Sequence, residues 1–309
     1  MTELHTTQGA LSRDDLDLIL PHEHVFTDLG PMEERAHESA DLEEVVEVIG
    51  PEIERAKEAG VTGMVEPTPR GVGRRVDAVE AVSDATDFPI AVATGIYQEP
   101  RIPEWAREAS EDELTEWMIE ELTESVDEAE TKAAFIKVST DNDVPDALSE
   151  DEEKILRAAA RAGAETGAAI GSHTLSADMV ETQLDVIEAA GYTADRFVWI
   201  HAQAEADLDR HVEIAERGAW IEYDWIGGDD QPDADYVERI QRLLEEEFGD
   251  QILLSQDRGW YDPSEPRGGE VDPYTYLPDE FLPALREAGV EEATIELLTV
   301  DNPFDAFAR

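Results

Sequence analysis

The stretch Leu18-Ile-Leu-Pro-His22-Glu-His24-Val25 carries an apolar run directly into two histidines at positions i and i+2. Side chains two residues apart in a β-strand point to the same side of the strand, so this spacing predicts two neighbouring imidazoles at a strand end. Other residues able to bind metal also end separate apolar runs: Lys137, His173, His201 and Asp257. We therefore expect five segments of the chain to meet at one site.

The whole chain repeats the pattern of this first segment. Apolar, β-branched or aromatic runs alternate with acidic amphipathic stretches, which is typical of βα units. The eight predicted strands are 17–25, 61–68, 89–96, 133–139, 168–173, 197–202, 219–224 and 251–256. The predicted helices lie near 41–59, 73–86, 111–130, 150–166, 176–190, 205–217 and 233–247, and Pro51 is expected to break the first of them.

This alternation predicts an α/β fold, a (β/α)8 TIM barrel. We expect one domain over residues 1–309, with a long Gly/Pro-rich loop at about 258–279 after the eighth strand and a helix at about 280–288. Active sites of such barrels form at the carboxyl ends of the strands. The candidate ligands fall at the carboxyl ends of strands 1, 4, 5, 6 and 8, so they are expected to share that face.

The histidines are concentrated at these strand ends. Seven occur in the chain, four belong to the candidate set, and His5, His37 and His211 lie elsewhere. Taken singly, a strand-end histidine could simply bond a neighbouring loop. Lys137 lies in an apolar run that should exclude an unpaired ammonium, and an ion pair with Glu66 is the alternative to a chemical role.

Composition restricts the environment and the partners of the protein. The chain contains 23 Lys and Arg residues and 76 Asp and Glu residues, which gives a formal net charge of −53 spread along its length. Molar salt shortens the Debye length to about 3 Å and screens such self-repulsion, so we interpret the charge as halophilic adaptation. Nucleic acid and anionic membrane surfaces are excluded as partners because both require basic patches.

The chain has no cysteine, which leaves only nitrogen and oxygen ligands for a metal. The first residues lack the basic and apolar regions of a secretory signal, and no apolar run approaches about 20 residues. These features predict a cytoplasmic protein.

Segments spread over nearly the whole chain resemble the phosphotriesterase-related branch of the amidohydrolase superfamily, which includes phosphotriesterase-like lactonases. The matching segments are 21–28, 66–74, 93–97, 135–139, 171–174, 200–201, 255–257 and 301–304. The resemblance implies that His22, His24 and Asp257 bind one divalent ion and that His173 and His201 bind a second. It further implies that Lys137 is an N6-carboxylysine bridging both ions.

The same resemblance implies a binuclear hydrolase. A hydroxide shared by two ions would attack the substrate, and Asp257 would orient it and take up its proton. Zinc is the preferred metal, with manganese or cobalt as alternatives, because imidazole and carboxylate suit all three. The expected substrate is a small-molecule lactone or similar carboxylic ester, and a homodimer is compatible with the family. Alternatives are a phosphoester (phosphotriester) or N-acyl amide hydrolase, or a metal-binding barrel without catalysis.

Four residues are candidates for the substrate pocket. Tyr97 resembles the tyrosine that lactonases of the family place beside their metals, or it closes the barrel mouth. Trp225 stands where lactonase-like members commonly carry arginine, which weighs against a lactone substrate. Arg258 could supply that cation or pair with a loop acid. Trp260, with Tyr261, Tyr274 and Tyr276, forms a pocket wall or lid, or packs on the barrel rim or a subunit interface.

Overall fold

Eight parallel strands form the central sheet, as the alternation predicted. The computed structural model describes residues 2–31, 34, 36–140, 147–229 and 231–309. The strands, in chain order, are β1 (Leu4–Thr6), β2 (Gly9–Leu11), β3 (Ile19–Leu20), β4 (His24–Phe26), β5 (Gly63–Glu66), β6 (Ile90–Ile96), β7 (Phe135–Ser139), β8 (Ile170–His173), β9 (Phe197–Ile200), β10 (Trp220–Tyr223), β11 (Ile252–Leu254) and β12 (Gly259–Tyr261). The sheet order is β3-β5-β6-β7-β8-β9-β10-β11, and every neighbouring pair is parallel.

Helices follow most of the barrel strands and cover the outside of the barrel. They are α1 (Leu42–Glu58), α2 (Val76–Thr86), α3 (Glu104–Glu108), α4 (Glu111–Thr123), α5 (Glu150–Thr166), α6 (Ala177–Ala189), α7 (Leu208–Glu216), α8 (Asp233–Glu245), α9 (Leu282–Glu287), α10 (Glu292–Glu296) and α11 (Asn302–Phe307). Local signals set several ends. Ser149 and Glu152, for example, form a reciprocal capping box at the start of α5, and Gly167 ends that helix in the left-handed region.

The barrel is nearly closed. No strand ladder joins β11 to β3 within the described residues, and the edges of the sheet meet there. Closer to the carboxyl face, the short parallel pair of β4 and β12 continues the wall, with His24 opposite Gly259 and Phe26 opposite Tyr261. The seam between the first and last strands therefore lies directly beneath the segments that carry His22, His24 and Asp257.

Apolar side chains fill one end of the barrel. Ala91 and Ala93 of β6 and Phe135 of β7 belong to a buried cluster with Phe307 of α11, and the Phe135 and Phe307 rings lie 4.9 Å apart. Lys137 follows Phe135 by two residues and so faces the same interior. The packed end thus leaves the opposite end of the barrel for polar residues.

Several details of the prediction are wrong, among them the helix near 111–130, which ends at Thr123. The first strand does not run from 17 to 25: β3 ends at Leu20, and a separate strand begins at His24, so the two histidines do not share one continuous strand. Pro51 does not break the first helix, because α1 continues through it. Val45, Ile49 and Ile53 of α1 are fully buried on both sides of the proline, and this packing outweighs the lost hydrogen bond.

No helix in the described ranges combines the length and the apolar character needed to span a membrane.

Candidate active site

His22 and His24 present their Nε2 atoms to the same carboxylate. His22 Nδ1 lies 2.6 Å from Glu222 Oε1, and His24 Nδ1 lies 2.7 Å from Thr68 Oγ1. With Nδ1 engaged on each ring, Nε2 is the nitrogen directed at the interior. Asp257 Oδ1 is 3.8 Å from His22 Nε2 and 3.1 Å from His24 Nε2. The three residues implied as one ligand group are therefore brought together.

Asp257 follows β11 and adopts a left-handed backbone conformation, with φ of +53°. This conformation is uncommon for a residue other than glycine and requires support from its surroundings. Its Oδ2 accepts a hydrogen bond of 3.2 Å from Trp225 Nε1. Its Oδ1 is buried and accepts no hydrogen bond from any described residue.

His201 and His173 form the second pair. His201 Nδ1 lies 2.7 Å from Asp224 Oδ1, and its backbone N–H donates to Asp224 Oδ2 at 3.1 Å. The His173 and His201 rings lie 4.4 Å apart. Ligand atoms of His22, His201 and Asp257 all lie within 4.8 Å of one another, so the two ligand groups adjoin.

Lys137 is buried in the same interior. Among the residues that the structure describes, no carboxylate lies within ion-pair distance of its Nζ. Glu66 instead accepts hydrogen bonds from the hydroxyl and the backbone N–H of Thr68. The ion pair between Lys137 and Glu66, the alternative to a chemical role, is thus not formed. Burial lowers the pKa of Lys137 and so favours the neutral amine. The charges of more distant carboxylates, first Glu222 and then Asp224, oppose this shift but do not outweigh it.

Burial and neighbouring charges give the candidate histidines different pKa values. It lowers the pKa of His22 and of His173 well below the ordinary value, assisted by neighbouring positive groups such as Lys137. Burial lowers the pKa of His24 as well, but Asp257 and Glu66 outweigh it and raise that pKa to about 9. Neutral imidazoles are the form that binds metal. His22 and His173 are therefore already in that form, whereas His24 must release a proton to a bound cation.

The donor set fits divalent transition metals. It consists of imidazole nitrogens, one carboxylate and one lysine, and each of three imidazoles is oriented through Nδ1 by a carboxylate or hydroxyl, as is typical of metal-binding histidines. The Oδ1 of Asp257 accepts no well-aligned hydrogen bond among the described residues, and its ionic partner at 3.1 Å is His24 Nε2. A divalent cation could take the place of the His24 proton.

The candidate pocket residues divide between two cavities that share Asp257. Tyr97 and Trp260 line a cavity of about 60 Å³ together with the candidate ligands. Trp225 and Arg258 line a neighbouring cavity of about 460 Å³. Burial, and then the charge of Asp257, raise the pKa of Tyr97 to about 12, so its phenol remains protonated.

The aromatic residues of the loop after the eighth predicted strand lie in different surroundings. Trp260 lines the smaller cavity, and its ring lies 4.8 Å from that of His24. Tyr261 and Tyr274 are buried against the barrel rim, where Tyr274 donates to the backbone oxygen of His24 at 2.7 Å. Arg258 lies 3.6 Å from Asp272, so its charge is met by a loop acid.

Sequence reasoning missed the residues that orient the histidines. Glu222 and Asp224 are fully buried at the end of β10, and burial together with Asp224 raises the pKa of Glu222 well above its ordinary value. Their i, i+2 spacing in Ile221-Glu-Tyr-Asp224 repeats the spacing of His22 and His24. Two acids in an apolar strand were the available signal.

Comparison with known proteins adds sequence and structural relatives. A profile of the phosphotriesterase family matches residues 2–307. The phosphotriesterase homology protein of Escherichia coli (strain K12) is 28% identical over 299 residues, covering 96% of this chain and 100% of that protein. The aryldialkylphosphatase of Saccharolobus solfataricus is 27% identical over 312 residues, covering 97% of this chain and 98% of that protein.

Two solved structures are similar over their full length. A lactonase from Listeria monocytogenes superposes with a TM-score of 0.85 at 24% identity, covering 99% of this chain and 98% of that one, and shows the shared fold. A triple mutant of an organophosphorus hydrolase from Deinococcus radiodurans superposes with a TM-score of 0.87 at 27% identity, with 98% and 97% covered.

Proposed function

The chain belongs to the phosphotriesterase family, and from this premise we propose that it is a binuclear metal-dependent hydrolase of a lactone or similar carboxylic ester. One observation carries the proposal: the buried Oδ1 of Asp257 faces the Nε2 atoms of two histidines whose Nδ1 atoms are already engaged. Such an arrangement is typical of a site built to hold a cation.

The residues would divide into two ligand groups joined by a bridge. His22, His24 and Asp257 would hold one ion, His173 and His201 would hold the other, and Lys137 would join them after modification. The neutral amine of Lys137 adds to carbon dioxide, forming an N–C bond and releasing one proton, and the resulting N6-carboxylysine is an anion with two oxygens. Two divalent ions, zinc in first place, would supply a hydroxide nucleophile near neutral pH and polarise the scissile oxygen.

The chain's own residues would handle protons and orientation. Asp257 would accept the proton of the attacking water, because it adjoins both ligand groups. Tyr97 lines the cavity as a protonated phenol and would donate a hydrogen bond to the ring oxygen of a lactone. Trp260 would exclude water from the His24 side of the cavity.

Two adjoining cavities limit how a substrate can lie. The cavity at the candidate ligands measures about 60 Å³, so it has room only for the scissile group. The rest of a ring substrate would extend into the cavity of about 460 Å³ on the other side of Asp257. That cavity contains Arg258 and Trp225, so polar rings are favoured over long alkyl chains.

The proposal is tested with one preparation purified in high salt and loaded with zinc and bicarbonate. We expect two metal equivalents by elemental analysis, and a higher kcat/KM for lactones than for aryl phosphotriesters or N-acyl amides. Preference for either of the other substrate classes would refute the lactone assignment but keep the hydrolase. Two bound ions without hydrolysis of any class would identify a binding protein, and failure to bind metal after reconstitution would refute the binuclear centre.

A further inference from the structure

We propose that Glu23, which lies between the two histidines of the first segment, is a positioning residue that fixes the backbone of Asp257. The proposal rests on the function proposed above for Asp257. Glu23 is fully buried, and its side chain belongs to neither ligand group. Glu23 would thus have a role of its own between the candidate ligands His22 and His24.

The carboxylate of Glu23 accepts hydrogen bonds from both sides of Asp257. Its Oε1 accepts the backbone N–H of Gln256 at 3.1 Å, and its Oε2 accepts the backbone N–H of Arg258 at 2.8 Å. Two side chains add to Oε1: Ser255 Oγ at 2.9 Å and Gln256 Nε2 at 3.1 Å. One buried carboxylate thus engages three residues that flank the candidate base: Ser255, Gln256 and Arg258.

These bonds replace a missing strand ladder at the barrel seam. No ladder joins β11 to β3 in the described part of the chain, and the ladder of β4 and β12 begins only after Arg258. Asp257 N–H donates to the His22 carbonyl at 3.1 Å, and His24 N–H donates to the Arg258 carbonyl at 2.7 Å. Without Glu23, the buried N–H of Gln256 and the partly buried N–H of Arg258 would lose these acceptors, at a cost of about 1–3 kcal/mol for the buried one.

The left-handed conformation of Asp257 explains why a clamp is needed there. A residue with a Cβ at φ of +53° is held in place by its surroundings rather than by its own preference. Holding the amides on both sides leaves this residue little freedom to rotate. Its carboxylate is thereby kept between His22 and His24, which belong to the same segment as Glu23.

A carboxylate meets this requirement better than the alternatives. All four donors point at its two oxygens, so the side chain must accept on both branches. Glutamine keeps one accepting oxygen but turns an N–H₂ group toward the Arg258 N–H. Alanine leaves both amides without an acceptor.

The first test is amide hydrogen exchange on the metal-free protein in high salt. In Glu23→Gln we expect the Arg258 amide to exchange at least about tenfold faster, with a smaller effect at Gln256, and in Glu23→Ala we expect both amides to accelerate. Glu121→Gln is the matched control. Glu121 is also buried, but it accepts from Arg74 at 2.7 Å through both oxygens, so it should leave these two amides at wild-type rates.

The second test measures zinc affinity by chelator competition and steady-state kinetics on the metal-loaded protein. We expect Glu23→Gln to weaken zinc affinity by about 10- to 100-fold and, at saturating zinc, to lower kcat more than it changes KM. Wild-type exchange at both amides in Glu23→Gln would overturn the clamp. Accelerated exchange with wild-type zinc affinity and kcat would overturn the positioning role. Should wild-type protein hydrolyse nothing, the proposed function falls while the exchange result still decides the clamp.

Discussion

Replacing Trp225 by phenylalanine tests whether the indole N–H controls Asp257. Trp225 Nε1 donates to Asp257 Oδ2 at 3.2 Å, which is the one side-chain hydrogen bond to this carboxylate among the described residues. The aromatic ring also lies 5.0 Å from the His201 ring. Phenylalanine keeps an aromatic ring beside His201 and removes only the donor.

The expected magnitude follows from the type of bond. A hydrogen bond to a charged group contributes about 1.5–3 kcal/mol, and the length of this one places it at the lower end. Since about 1.4 kcal/mol corresponds to a factor of ten, kcat/KM should fall about tenfold. Bound metal should remain at the wild-type stoichiometry, because Trp225 supplies no ligand atom.

The assay is steady-state hydrolysis of the best lactone substrate in high salt, with elemental analysis of the same sample. Trp220→Phe is the matched control, since Trp220 lies on the same strand and donates its indole N–H to the Asp195 carbonyl at 3.0 Å. We expect the control to keep wild-type kcat/KM. Equal rates for Trp225→Phe and wild type, or an equal loss in both variants, would refute the reasoning.

Three further predictions concern the bridge, the pH response and salt. Lys137→Ala should reduce bound metal below two equivalents, and added acetate with zinc should partly restore hydrolysis; full activity without acetate would exclude the bridge. Burial lowers the pKa of His211 from 6.5 to about 4, although the hydrogen bond with the Glu205 carbonyl opposes this shift. Between these two values the unfolded chain binds more protons than the folded protein. The free energy of unfolding therefore decreases as the pH falls through that window. Metal-free wild type should lose about 2 kcal/mol more unfolding free energy than His211→Gln between pH 7 and pH 5 in urea titrations, and equal losses would contradict this. Lowering KCl from about 1 M to about 0.1 M should lower Tm because repulsion at a net charge of −53 is then less screened, whereas an unchanged Tm in calorimetry would argue against salt adaptation.

The barrel could be predicted because strand and helix periods alternate clearly. Errors occurred where local rules compete with packing: the continuous apolar run before His22 concealed the end of β3 at Leu20, and the buried stripe of α1 kept Pro51 within a helix. Sequence spacing suggested the candidate ligands because each follows its own strand. It could not suggest that Glu222 meets His22, since these residues lie 200 positions apart and meet only when the barrel closes.

The charges at the barrel mouth bear on the proposed cation site. Five acidic side chains lie at the barrel mouth: Glu23, Glu66, Glu222, Asp224 and Asp257. Burial raises the pKa of Glu23 to about 8 and the pKa of Glu222 well above its ordinary value. Burial lowers the pKa of Lys137, whereas Asp257 and Glu66 raise the pKa of His24 to about 9. Salt screens such buried groups less than it screens the exterior. Any cation that binds the folded state alone stabilises it by mass action, so a divalent ion should stabilise the folded protein while it displaces the protons that His24 and the buried acids hold in its absence.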